Sequence, residues 1–271
     1  MRTLNYLVII STVALLAACS NYNKVLKSDD YQAKFDMANQ LYDAADYARS
    51  VQFYEQVYQR YPKQSEGEVS YFRIGKAYYL DNDFYMGGYF LGEFVNRFPY
   101  SPKVEEATFL SAMCSVHNSP EYSLDQTDTE IGINSLQQFI DRFPESQLID
   151  SCNRIMDRLR NKLEYKEYEI VKLYAKTENY RAAVTSAIEF NKNFPLSKYR
   201  EEVAYVLVNN SYLLTKNSIQ TKKLERTVQT LERYRNFVAE FPNSKYKKSV
   251  VVISDLMEKE KQKLQEKEKK S

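Results

Sequence analysis

The chain has 271 residues, with Lys plus Arg at 38 against Asp plus Glu at 36, a net charge of +2. That length can bury a substantial core, but the near-balance of charge lacks the overall basic surplus that nucleic-acid binding draws on. A single His excludes any site built on two imidazoles, and six Gly with seven Pro leave long stretches free of helix breakers.

The first 18 residues read as an export signal. Arg2 precedes an apolar run from Leu7 to Ala18, broken only by Ser11 and Thr12. A membrane-spanning helix needs roughly 20 apolar residues, so the run is too short to span and fits the core of a signal peptide. It ends in Leu16-Ala17-Ala18-Cys19, which resembles the lipobox of bacterial lipoproteins. The resemblance implies cleavage before Cys19, a covalent lipid on its thiol, and a lipidated tether over 19–28; an ordinary signal with an incidental Cys is the competing reading. Each buried acyl CH₂ contributes about 0.8 kcal/mol to anchoring, and two or more chains make attachment stable. Ser20 follows the Cys where an Asp would signal inner-membrane retention, and no acidic cluster comes next. Known sorting rules then imply the outer membrane, periplasmic face.

Beyond the tether one phrase keeps returning: YPKQS at Tyr61–Ser65, FPYS at Phe98–Ser101, FPES at Phe143–Ser146, FPLS at Phe194–Ser197 and FPNS at Phe241–Ser244. Proline disfavours helix at the residue before it, so a helix should stop at the aromatic. The Ser two places on can accept a backbone N–H and start the next helix; Ser65 with Glu68 has the spacing of a capping box. In chain order the predicted helices are 29–44, 47–61, 66–81, 84–98, 102–117, 129–143, 147–177, 180–194, 198–216, 221–241 and 245–267. No segment alternates with period two, so strands are not expected. Small residues such as Ala38, Ser50, Gly75, Gly87, Ala183 and Ala187 fall where two antiparallel helices would cross, which resembles the tetratricopeptide pattern. The expected fold is all-α, a tetratricopeptide-like α-solenoid of about five helix pairs with a long connecting helix. Repeats 1–3 would occupy 29–146, repeats 4–5 would occupy 147–254, and a charged helical tail, read as a solvated end, would run over 255–271.

Two features depart from the period. Residues 118–129, NSPEYSLDQTDT, form a breaker-rich insertion, and 216–226, KNSIQTKKLER, a basic connector. Cys114 and Cys152 lie 38 residues apart in apolar helical patterns; an oxidising compartment permits a bridge, while the pattern reads as two small buried hydrophobes.

No catalytic set emerges. The chain lacks a two-His metal motif, a nucleophile elbow and a phosphate-cradling glycine loop. Asp125, Asp128 and Glu130 lack calcium-loop spacing and its turn Gly. No enzyme and no cofactor beyond the lipid are expected, which leaves a binding surface. Phe72, Lys76 and Tyr79 form a stripe beside the packing face of their helix, and Phe35, Asn39 and Tyr42 match it in the preceding repeat. On the inner wall of a solenoid such residues would hold an extended peptide, its aromatic side chains and its carboxylate; equally, the aromatics would pack against the next helix.

With the LAAC start, the aromatic-Pro-x-Ser hinges and the stretch KLEYKEYEIVKLYAKTENYRAAV (Lys162–Val184), the chain resembles the BamD family, lipoproteins of the outer-membrane β-barrel assembly machinery. The resemblance covers nearly the whole mature chain. It implies a non-enzymatic, periplasmic scaffold whose C-terminal repeats bind the barrel-inserting subunit, BamA-like, and whose N-terminal repeats recognise unfolded barrel proteins. The family's partner-contacting Arg, which follows the fourth hinge in an S/T-x-x-R-acidic setting, matches Arg200 within Ser197-Lys198-Tyr199-Arg200-Glu201; an exposed first-turn Arg is the alternative. The repeats run longer here than is usual, notably at 216–226, which bears on which accessory lipoproteins dock. The other functional class open to such a fold is an adaptor for cell-wall or envelope-division proteins.

Overall fold

The computed structural model describes residues 22–268; the expected signal segment and Cys19 lie outside them. After a short helical turn at 22–26 come eleven helices among the described residues, and no strand. They are α1 (Tyr31–Asp43), α2 (Tyr47–Arg60), α3 (Ser65–Leu80), α4 (Phe84–Arg97), α5 (Val104–Asn118), α6 (Thr127–Arg142), α7 (Ile149–Lys176), α8 (Tyr180–Asn193), α9 (Arg200–Lys216), α10 (Gln220–Glu240) and α11 (Lys247–Glu268). Their ends fall within two residues of the expected ones. Consecutive helices pack as pairs, giving the tetratricopeptide-like all-α fold. None is long and apolar enough to cross a membrane.

The hinges end helices for the anticipated reason and add a second device. Phe98, Phe143, Phe194 and Phe241 leave helical geometry at φ near −125° while their N–H groups still bond the carbonyls of Phe94, Phe139, Phe190 and Phe237. Each pair of rings meets at 5.1–5.5 Å between centroids. The inner ring of each pair is buried, which stabilises by about 1.5–3 kcal/mol apiece. The repeated unit is therefore F-x-x-x-F-P-x-S.

The hinge serines do two jobs. Oγ of Ser101, Ser146, Ser197 and Ser244 accepts the backbone N–H two residues on, at 3.0–3.2 Å, starting the turn that feeds the next helix. Three of them also donate to a carboxylate on an earlier helix: Ser101 to Glu68 at 2.5 Å, Ser146 to Glu105 at 2.6 Å and Ser197 to Glu164 at 2.6 Å. That second role changes the first hinge. Glu68 is engaged by Ser101, Ser65 bonds Glu66, and the N-cap is Gln64, so the expected capping box does not form.

Within pairs, the turns before α2, α4 and α8 place Ala45, Asn82 and Glu178 at φ of 57–64°. An Asx residue follows each time, and Asp46, Asp83 and Asn179 accept the N–H three residues on. Gly75 allows close crossing: a Cβ there would lie 2.8 Å from Leu91 Cγ.

The chain divides into two compact units, 1–159 and 160–271, with the division inside α7. Unit 1 buries Phe53, Tyr54 and Ile74, then Phe72, Leu91 and Phe94, then Leu136, Phe139 and Met156. Unit 2 buries Tyr168, Val171, Phe190 and Val203, then Leu231, Phe237, Val250, Ile253 and Met257. Cys114 and Cys152 are unbridged and buried; burial pushes the Cys114 thiol up to about 12. The insertion is held by internal bonds and by a tie to α4: Gln126, buried, donates to the carbonyls of Glu121 and Leu124 and accepts from Thr129, and the Tyr85 hydroxyl donates to Asp128. The C-terminal tail is less solvated than its composition suggests, because Leu264 is only 5% exposed and Glu260 sits 3.8 Å from Lys223.

Candidate protein-binding site

α1, α3, α4 and the hinge before α5 enclose a cleft of about 270 Å³ in unit 1, lined by Tyr42, Glu68, Val69, Phe72, Arg73, Lys76, Phe94 and Lys103. Three of the six anticipated groove residues, Tyr42, Phe72 and Lys76, meet there. Phe72 forms the floor: it is 6% exposed and its ring packs 5.3 Å from Phe94. Two ammonium groups stand over that ring, Lys76 at 5.8 Å and Lys103 at 5.6 Å.

Asn39 stands behind the cleft. Its Oδ1 accepts from Arg73 Nη1 at 2.7 Å and from Tyr54 Oη at 2.8 Å. Phe35 packs edge-on to Tyr54, ring centroids 6.4 Å apart. Tyr79 turns away from the cleft, meeting Phe84 at the start of α4 and His117 on α5. So the expected stripe splits into a cleft-lining part and a packing part.

The sequence stripe did not include Arg73 and Lys103. Arg73 is one residue past Phe72 and three before Lys76, so Val69, Phe72, Arg73 and Lys76 share a helix face; spacing alone could have added it. Lys103 belongs to the next hinge, and only the stacking of repeats brings it in.

Charge in the cleft is unbalanced. Glu106 accepts from Lys76 at 2.6 Å and Lys103 at 3.1 Å; burial pushes its carboxyl upward, but the two lysines outweigh that and hold it low. Glu68 is taken by Ser101. Arg73 is held by Asn39, by Tyr54 at 2.9 Å and over the Tyr42 ring at 5.0 Å, with no carboxylate paired to it among the described residues. Burial raises the Tyr42 and Tyr54 phenols, Tyr54 to about 12, so both stay neutral donors near neutral pH. The result is an aromatic pocket in which the cations Arg73, Lys76 and Lys103 outnumber the carboxylates Glu68 and Glu106, with a fixed guanidinium at one end. Chemically it suits a carboxylate beside an aromatic or aliphatic side chain.

Arg200 lies in unit 2 at the first residue of α9. Its Nε and Nη2 grip both carboxylate oxygens of Glu240, and Nη1 donates to the Asn191 carbonyl at 2.8 Å. The guanidinium thus ties the ends of α8 and α10 to the start of α9. It remains 26% exposed, and Glu240 41%.

A family model described as "YfiO: Outer membrane lipoprotein" matches residues 27–222 and 176–269. Three curated relatives are each named outer membrane protein assembly factor BamD. The protein from Neisseria meningitidis serogroup B is 22% identical over 259 residues, 89% of this chain and 93% of its own length. That from Haemophilus influenzae is 18% identical over 217 residues, 76% and 83% of the two chains. That from Caulobacter vibrioides is 22% identical over 142 residues; the alignment takes in 52% of this chain and 47% of the relative, so about half of that protein's length is spanned.

Proposed function

Because the chain belongs to the YfiO family of outer membrane lipoproteins, we propose that it serves the assembly of outer-membrane β-barrel proteins as a lipid-anchored scaffold on the periplasmic face. In this reading Cys19 carries the lipid, unit 1 receives unfolded barrel proteins, and unit 2, with Arg200, contacts the BamA-like barrel-inserting subunit. The chain performs no chemistry of its own in this role; it positions one protein against another.

The observation that carries the reading is the unit 1 cleft. A guanidinium with no carboxylate paired to it among the described residues, fixed beside a buried Phe, supports capture of a terminal carboxylate together with an apolar side chain. The floor residues are already held by core packing, so little ordering is needed on binding.

A labelled ten-residue peptide ending in Phe with a free carboxylate tests the cleft. Binding should weaken roughly tenfold or more when the carboxylate is amidated, and to a similar degree in Arg73→Gln. Equal affinity for acid and amide would reject the cleft as a carboxylate receptor. For the scaffold role, mass spectrometry of a mild-detergent complex purified through this chain should recover an outer-membrane barrel with periplasmic domains. Recovery of cell-wall enzymes alone would favour the adaptor reading instead.

A further inference from the structure

A second surface of unit 1 is unlike the cleft in sign and in shape. Between Ala77 and Asp141 the sequence holds ten carboxylates and two cations, Arg97 and Lys103, a net charge of −8 in a chain that is +2 overall. Both cations are already engaged, Arg97 with Glu93 and Lys103 with Glu106. Charge is therefore segregated along the chain, and this stretch has carboxylates to spare.

The same stretch exposes its largest aromatics. On α4, Tyr85 is 70% exposed and Tyr89, one turn on, 59% exposed, with Met86 exposed between them. Asp81 and Asp83 directly precede the helix, and Asp128 of α6 meets the Tyr85 hydroxyl at 3.4 Å. The Tyr89 ring is backed by packing. Tyr89 rests edge-on against Phe90 at 5.4 Å, and Phe90 stacks on Tyr78 at 5.5 Å and 16°. Asp81 also borders the adjoining hollow, with Glu55, Tyr47 and Tyr78.

Single exposed apolar residues need no explanation. Two tyrosines and a methionine on one face, among carboxylates and with Tyr89 backed by the Phe90–Tyr78 stack, form a different arrangement. Tyrosine is enriched at protein interfaces because it carries contact area at low entropic cost. Tyrosine faces with surrounding carboxylates attract guanidinium and ammonium groups.

We propose that the outer face of α4 is a docking surface for a cationic, Arg- or Lys-bearing segment of a partner protein. Tyr85 and Tyr89 take the side-chain stems and cations, while Asp81, Asp83 and Asp128 set the charge preference. This surface is separate from the carboxylate-seeking cleft, so its test can fail without touching that reading.

The test places p-benzoylphenylalanine at position 89, aromatic for aromatic, in the full chain expressed in its own envelope. After irradiation, the cross-linked peptides are sequenced. The expected result is a cross-link to a protein segment with an excess of Lys and Arg. Its yield should drop severalfold at raised salt and in an Asp81→Lys, Asp128→Lys variant whose melting temperature is unchanged. A synthetic copy of that segment should bind the purified chain and lose roughly tenfold in affinity per Tyr→Ser change at 85 and 89. Cross-links to lipid alone, to a second copy of this chain, or to an acidic segment would overturn the proposal. So would no cross-link, or a yield indifferent to salt and charge reversal.

Discussion

Replacing Arg200 with Ala removes three hydrogen bonds at once, and the structure sets their size. The pair with Glu240 is bidentate but partly exposed, at 26% and 41%, so its contribution is about 0.5–1 kcal/mol. The bond to the Asn191 carbonyl satisfies an acceptor in the last turn of α8, worth about 0.5–1.5 kcal/mol. Against these, a cation at the start of α9 opposes the helix dipole by a few tenths of a kcal/mol, roughly 0.3. The net loss is about 1–2 kcal/mol. If unit 2 unfolds cooperatively, that lowers its melting temperature by roughly 4–10 °C. Calorimetry on Arg200→Ala checks this, and the exchange Arg200→Glu with Glu240→Arg separates two roles. If the residue serves only inside the fold, the swap should recover much of the stability and also the co-purifying partner. If it also touches the partner, stability recovers and the partner does not. A melting temperature for Arg200→Ala within 1 °C of the parent would refute the clamp.

Further predictions follow from single positions. Gly67→Ala would put a Cβ 1.9 Å from the Tyr61 carbonyl oxygen; overpacking against backbone should cost about 2–3 kcal/mol, seen as an earlier urea midpoint. Glu178→Gly relieves a left-handed residue, a gain of about 1–2 kcal/mol offset by the added freedom of the unfolded chain, roughly 0.4–1 kcal/mol; thermal melts should rise by a few degrees, about 2–4 °C. Stability should also decline in alkali. Burial lifts the Cys114 thiol from 9.0 and the Tyr54 and Tyr168 phenols from 10.0, each to about 12. The folded chain therefore keeps protons that the unfolded chain releases. Stability is full below pH 9 and falls above it, at up to about 1.4 kcal/mol per pH unit for each group. Urea titrations at pH 8 and pH 10.5 would expose the slope, and a flat profile would contradict it.

Helix ends were legible because proline acts locally: the rule that stops α4 at Arg97 needs only Phe98 and Pro99. The packing faces were legible for a related reason, since periodicity identifies which side of a helix is apolar. What periodicity does not encode is the identity of the neighbour. Ser65 and Glu68 have capping-box spacing, yet Glu68 is claimed by Ser101, 33 residues away. Phe72 and Tyr79 share a stripe, yet one floors a cleft and the other turns to His117. Family likeness points Arg200 at another protein; Glu240 as its mate, 40 residues on, has no local signature. Composition hides the seating of the tail, where Met257 and Leu264, seven residues apart among lysines and glutamates, continue the buried seam of Val250 and Ile253.

The serine-to-glutamate latches loosen a constraint that repeat proteins normally face. Successive hinge prolines stand 37, 45, 51 and 47 residues apart, yet the three latched junctions join in the same way. Because register is clamped at the hinge, the span between clamps is free to lengthen without misaligning the next module. Insertions such as 118–126 can then be acquired or trimmed as surface ornaments, and the stack that carries them keeps its phase.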